Sequence, residues 1–148
     1  MLIIDPRALE DLKQHCRGGF PEERCGLLVG RWERGTSTRL VQEAHRAGNL
    51  NKERAADRYE LDAKDHLKID SEARKRNLEI VGVYHSHPDH PSVPSETDRS
   101  RAEMVWEEFE SWSYVIVEVA NGVPASWRSW ILKDRNFKEE EIRVEDPV

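Results

Sequence analysis

The stretch His85-Ser86-His87-Pro88-Asp89-His90-Pro91-Ser92-Val93-Pro94-Ser95-Glu96-Thr97-Asp98 holds three of the six histidines in the chain. His85 and His87 directly follow an apolar run, Leu78–Tyr84. In an extended segment, residues two apart face the same way, so the two imidazoles can converge on one metal ion. A catalytic zinc takes three protein ligands and keeps one position open for water. His85 and His87 supply two, and Asp89, His90 and Asp98 are candidates for the third. Ser95 and Asp98 lie three apart where a helix is expected to begin, which makes them neighbours on one turn. From there a carboxylate can bind the ion and a hydroxyl can reach a developing oxyanion. The same Ser95-x-x-Asp98 pattern reads as a capping box with Asp in place of Glu or Gln, and the two roles are compatible. The chemistry still needs a general base, for which Glu22 and Glu23, just upstream of the first expected strand after the opening helix, are candidates.

The elements that must position these groups follow from local patterns. Leu78–Tyr84 predicts a strand buried on both faces, and His85–Pro94 a loop rich in Pro and His. From Ser95 a helix is predicted with Ala102, Val105, Trp106 and Phe109 on its buried face. Tyr114–Val119 predicts another buried strand, Asn121-Gly122 a hairpin turn, and Ser126–Leu132 its partner. Ile142–Val144 adds a short edge. In the first half, Asp5-Pro6 opens a helix as N-cap and first-turn proline. Its apolar positions are Ala8, Leu9, Leu12, His15 and Cys16, and Gly18-Gly19 ends it. Cys25–Gly30 and Arg39–His45 predict strands, Asn49–Arg58 a polar loop, and Tyr59–Leu61 a short strand. Asp62 caps a helix over Ala63–Arg76 with a thin apolar face of Leu67 and Ala73. Cys25, inside its apolar run, reads as a small buried hydrophobe rather than a ligand or nucleophile. The five tryptophans read as packing. The element mix is α/β, with helices on a mixed sheet.

Composition bounds the function. At 148 residues the chain has the length of one domain, and 37% hydrophobic residues, roughly 55, fill one core. No stretch free of Asp, Glu, Lys and Arg exceeds nine residues, whereas a spanning helix needs roughly 20 apolar ones. Met1–Pro6 has no basic region before its apolar run, and that run is far too short for an export signal. The net charge of −6 argues against tracking nucleic-acid phosphates. Glu139–Glu141 with Glu145 and Asp146 reads as a solvated acidic edge. Two cysteines, Cys16 and Cys25, make no disulfide framework, and a reducing cytoplasm is the expected location.

Several metal families share these letters. His85-x-His87-x-Asp89-His90 matches a string of the metallo-β-lactamase fold, but that fold needs further histidines downstream and none follows His90. The His-x-Glu and Pro-Cys-x-x-Cys of zinc deaminases are absent. A (β/α)₈ amidohydrolase barrel needs about 250 residues. Taken together, His85-Ser86-His87-Pro88, Ser95-Glu96-Thr97-Asp98 and Glu23-Arg24-Cys25-Gly26-Leu27-Leu28-Val29-Gly30 resemble the JAMM motif of the MPN-plus metallopeptidases. Arg58-Tyr59, Ile80–Tyr84, Ser113–Val119 and Arg128–Leu132 extend the likeness to the short bacterial branch, so it covers nearly the whole chain, 1–148, as one domain.

The resemblance implies an MPN fold, a curved mixed sheet flanked by helices and related to cytidine deaminases. It selects Glu23 over Glu22. His85, His87 and Asp98 would bind zinc with water in the fourth position, Glu23 would move the proton, and Ser95 would meet the oxyanion. Similar enzymes cleave the amide bond after the C-terminal glycine of ubiquitin-like proteins. The short branch implies a small sulfur carrier with a Gly-Gly tail as partner, releasing cysteine or a conjugate. A homodimer is compatible with the pattern. The rival implied by the same fold is a non-catalytic binding or scaffold module, whose known members have lost ligands.

Overall fold

A computed structural model describes residues 1–104 and 112–146. In chain order the elements are β1 (Leu2–Ile4), α1 (Pro6–Gly19), β2 (Cys25–Trp32), β3 (Arg39–Ala47), α2 (Ala63–Lys75), β4 (Glu79–Pro88), α3 (Glu96–Met104), β5 (Ser113–Ala120), β6 (Val123–Lys133), β7 (Asn136–Glu140) and β8 (Ile142–Val144). The strands form one mixed sheet in the order β7-β6-β5-β4-β2-β3-β1-β8. It is the mixed α/β sheet that the element pattern predicts, with the curvature and flanking helices that the resemblance implies.

Helix α1 starts as its sequence dictates, with the Asp5 carboxylate accepting from Arg7 N at 2.8 Å and Pro6 in the first turn. It buries Leu9, Leu12 and Cys16 on one side of the sheet, against Leu28, Val41, Val81 and Tyr84. Helix α2 covers the other side, where Ile69 and Ala73 meet Leu27, Val29, Ile80 and Val83. Its apolar face differs from the one predicted: Leu67 is 72% exposed, and Ile69 packs instead. Burial on both sides explains the near-continuous apolar character of β2, β4 and β5. Two glycines in β2 permit this packing. A Cβ on Gly26 would lie 2.3 Å from the Tyr84 ring, and one on Gly30 would lie 1.8 Å from the Leu40 carbonyl oxygen.

Several expectations are corrected. The strand predicted to stop at Tyr84 continues to Pro88, because β5 pairs with it in parallel from Gly82↔Ser113 to Pro88↔Val119. His85 and His87 are thus ladder residues and not part of a loop. A register shift opposite Leu28 and Val29 leaves Val81 as an extra residue in β4, which resets the alternation so that Val83, His85 and His87 share a face. Tyr59–Leu61 forms only an isolated bridge, Leu61 with Asn49. The acidic stretch is not all solvated. Glu140 is buried and accepts from Ser113 Oγ and Ser129 Oγ, both at 2.6 Å, with the N-terminal ammonium and Arg39 beside it. Strand β7 was not predicted; Asp134 and Arg135, at φ 53° and 65°, turn the chain into it. In the helix from Ser95, Ala102 is buried, while Val105, Trp106 and Phe109 lie outside the described residues. No helix among the described residues is long and apolar enough to cross a membrane.

Candidate metal centre

The C-terminal end of β4 carries the two histidines, and α3 brings Asp98 to them. His85 Nε2 lies 3.1 Å from His87 Nε2 and 3.3 Å from Asp98 Oδ1, and His87 Nε2 lies 3.0 Å from Asp98 Oδ2. Three lone-pair donors therefore crowd one point. The edges of a tetrahedron around zinc, with bonds of about 2.0–2.1 Å, are about 3.3 Å long, so this spacing fits the ion. The ring orientations agree with that reading. His87 Nδ1 lies 2.8 Å from the Pro91 carbonyl, which can only accept, so Nδ1 carries the hydrogen and Nε2 is left as a donor of electrons. Tyr59 stacks on His85 at 4.4 Å between centroids, fixing the plane of that ring.

Asp98 and Ser95 form the reciprocal cap anticipated at the start of α3. Ser95 N donates to Asp98 Oδ2 at 2.9 Å, and Asp98 N donates to Ser95 Oγ at 3.0 Å. The Ser95 hydroxyl accepts in that bond, so its own proton is free for another group. One capping box thus aims the carboxylate and presents the hydroxyl.

Glu23 precedes β2 and is 4% exposed, whereas Glu22 is exposed. Its carboxylate offers an oxygen within 4.8 Å of the ligand atoms of His85 and His87, and its Oε1 has no hydrogen-bond partner among the described residues. An unpaired buried carboxylate is costly to ionise. Burial pushes the Glu23 pKa up to about 8, with Asp98 adding to the rise and His87 opposing it. Asp98 behaves oppositely: burial alone would raise its pKa, but the two imidazoles hold it well below the usual carboxylate range. His85 is pushed down by burial despite Asp98.

Backbone ties hold these groups together. Glu23 N donates to the Ala55 carbonyl at 2.5 Å, and Arg24 N donates to Ser86 Oγ at 2.8 Å. Asn49 was read only as loop, yet it is the joint of this region. Its Nδ2 donates to the Glu23 and Arg58 carbonyls, both at 3.1 Å, and its Oδ1 accepts from Asn51 N and Glu60 N. Trp130 Nε1 donates to the Ser92 carbonyl at 3.0 Å and ties down the loop after β4. Nothing local in the sequence marks their part in the site, since the Asn49 bond to Glu23 and the Trp130 bond to Ser92 span 26 and 38 residues. Asp89 and His90, the other ligand candidates, are exposed outside the cluster, and Asp89 Oδ1 instead accepts from Asn121 N at 2.7 Å. Cys25 is buried and free, as expected of a small hydrophobe.

The cluster lies between two recesses. One, of about 360 Å³, is aromatic, lined by Tyr59, Trp112, Tyr114 and Phe137, and reaches His85 and Asp98. The other, of about 380 Å³, is polar and holds Glu23, Arg58, His87 and Ser95. A model of the prokaryotic homologs of the JAB domain matches residues 5–132. The chain belongs to this family. Among JAB-domain relatives, a protein named desampylase from Haloferax volcanii is 38% identical over 106 residues, covering 68% of this chain and 72% of that protein. One named CysO-cysteine peptidase from Mycobacterium tuberculosis is 26% identical over 144 residues, covering 97% and 91%. A solution structure from Salinibacter ruber is 40% identical with a TM-score of 0.72, covering 97% of this chain and 92% of that one. Another from Desulfitobacterium hafniense is 28% identical with a TM-score of 0.83, covering 99% and 94%. A JAB1/MPN domain protein from Archaeoglobus fulgidus, 19% identical with a TM-score of 0.59 over 95% of this chain and 96% of that one, shares the fold. Family membership sets aside the metallo-β-lactamase reading of His85-x-His87-x-Asp89-His90.

Proposed function

We propose that the protein is a zinc-dependent peptidase or isopeptidase that hydrolyses the amide bond after the C-terminal glycine of a small ubiquitin-like sulfur carrier, and that it works in the cytoplasm. The observation that carries the reading is the convergence of His85 Nε2, His87 Nε2 and an Asp98 carboxylate at 3.0–3.3 Å beside the unpaired carboxylate of Glu23. His85, His87 and Asp98 would hold the ion. A zinc ion there supplies Lewis acidity that brings deprotonation of water down to about pH 7. Glu23 accepts the proton of the attacking water and returns it to the leaving nitrogen, a role open to a carboxylate that sits beside the two imidazoles with its Oε1 making no hydrogen bond among the described residues. The Ser95 hydroxyl donates to the oxyanion that forms on the glycyl carbonyl. The carrier class is supported by the relatives named desampylase and CysO-cysteine peptidase.

The test is metal analysis joined to cleavage. The purified protein is expected to hold about one zinc per chain and to shorten a carrier adduct, with loss of both on chelation. A non-catalytic scaffold on this fold predicts binding of the carrier with no mass loss at full zinc occupancy.

A further inference from the structure

The two recesses beside the cluster can be assigned to the two halves of the substrate. Glu23 lines the polar recess and not the aromatic one. A proton handed back by Glu23 must reach the leaving nitrogen, so the leaving group occupies the polar recess and the acyl side extends toward the aromatic one. That polar recess contains a guanidinium whose hydrogen-bond donors are unused among the described residues. Among the described residues the Arg58 guanidinium makes no hydrogen bond or ion pair. Its neighbour Asp57 takes its hydrogen bonds from Arg54, Nη2 at 2.5 Å and Nε at 3.3 Å, and Arg58 acts on it only through its charge. Arg58 is also held in register with the base, because the Asn49 amide donates to the carbonyls of both Glu23 and Arg58.

We propose that Arg58 receives the α-carboxylate of the departing amino acid, so that the site trims one free amino acid from the carrier's terminal glycine. The inference rests on the hydrolytic reading above. A guanidinium presents its donors as a planar fork that matches a carboxylate in two parallel bonds. A lysine released from an isopeptide bond leaves through its side-chain amine, and its α-carboxyl is locked in a protein backbone with no charge to offer. In the reaction, the water oxygen bonds to the glycyl carbonyl carbon, the carbon–nitrogen bond breaks with its electron pair on nitrogen, and Glu23 passes the water's proton to that nitrogen. The products are the carrier with a free carboxylate and an amino acid whose own carboxylate sits on Arg58.

The experiment compares zinc-loaded protein on three adducts of one carrier ending in Gly-Gly: cysteine with a free carboxylate, cysteinamide, and a peptide joined through its lysine Nε. The free acid is expected to be favoured over the carboxamide about 10- to 100-fold in kcat/KM, mostly through KM, as for loss of a charged hydrogen bond. The lysine-linked adduct is expected to resemble the carboxamide. Arg58→Gln should bring the acid-to-carboxamide ratio close to one, and Arg58→Lys should leave an intermediate ratio. Equal cleavage of acid and carboxamide by the unaltered protein would overturn the proposal without any substitution. So would an Arg58→Gln variant that loses both substrates in equal proportion, which would place Arg58 against the carrier body. Failure to cleave any adduct at full zinc occupancy would overturn the hydrolytic reading itself, and this proposal with it.

Discussion

Glu23 and Asp98 are two carboxylates beside the same pair of imidazoles, and their surroundings divide the labour between them. Asp98 is held ionised by two imidazoles and by the Ser95 amide, which suits a ligand. Glu23 has no such support, and burial favours its proton, which suits a group that must take and give one. Ligand identity is testable at this scale. Asp98→Ala is expected to drop zinc content well below one per chain, whereas His90→Ala should keep it, because His90 stands exposed outside the cluster. Metal analysis of both purified variants checks this. A zinc content that survives Asp98→Ala and falls with His90→Ala would reverse the assignment.

At the scale of elements, the site depends on how β2, β3 and β4 register against one another. The irregularity at Leu28/Val29 in the β2–β4 pair sets which face His85 and His87 occupy, and a second at Val29/Gly30 bends the β2–β3 pair beside it. Gly30→Ala would force a Cβ to within 1.8 Å of a backbone oxygen and is expected to destabilise the fold by several kcal/mol. Gly18→Ala in α1 meets nothing within 4 Å and is expected to stabilise by up to about 1 kcal/mol. Urea midpoints of the two variants should move in opposite directions. The sequence made α1 legible through Asp5-Pro6, and it made the α3 cap legible through Ser95-x-x-Asp98, because capping is local chemistry. The extent of β4 was not legible, since a Pro- and His-rich stretch reads as loop until β5 supplies a parallel partner. Glu140 was misread, and the role of Asn49 within its loop was missed, for a related reason. Polar residues look solvated in a sequence, and only tertiary partners show that they are buried. At the site, the five residues named from the motif are the five the fold brings together, because the motif itself spans the elements that converge.

At the scale of the molecule, the same sheet separates the cluster from a second buried polar pair, His15 with Tyr84. His15 Nδ1 lies 2.6 Å from Tyr84 Oη, and burial, with Arg46 and Arg24 adding, pushes the His15 pKa down to about 4. The folded state therefore keeps His15 neutral where the unfolded chain, near 6.5, takes up a proton. Stability from this residue is full above about pH 6.5 and declines as pH falls toward about 4, by up to about 3 kcal/mol. In His15→Gln, denaturant midpoints should lose that part of the slope between pH 6.5 and 4; an unchanged slope would contradict the assignment. The central claim concerns the whole assembly of ligands, base and hydroxyl, and one comparison tests it most directly. Intact-mass measurement follows a carrier–cysteine adduct incubated with unaltered protein and with Glu23→Gln, both at equal zinc content. The account predicts loss of one cysteine with the unaltered protein and a rate about 10²–10⁴-fold lower with Glu23→Gln. Equal rates for the two proteins, or an adduct left whole by both, would contradict it.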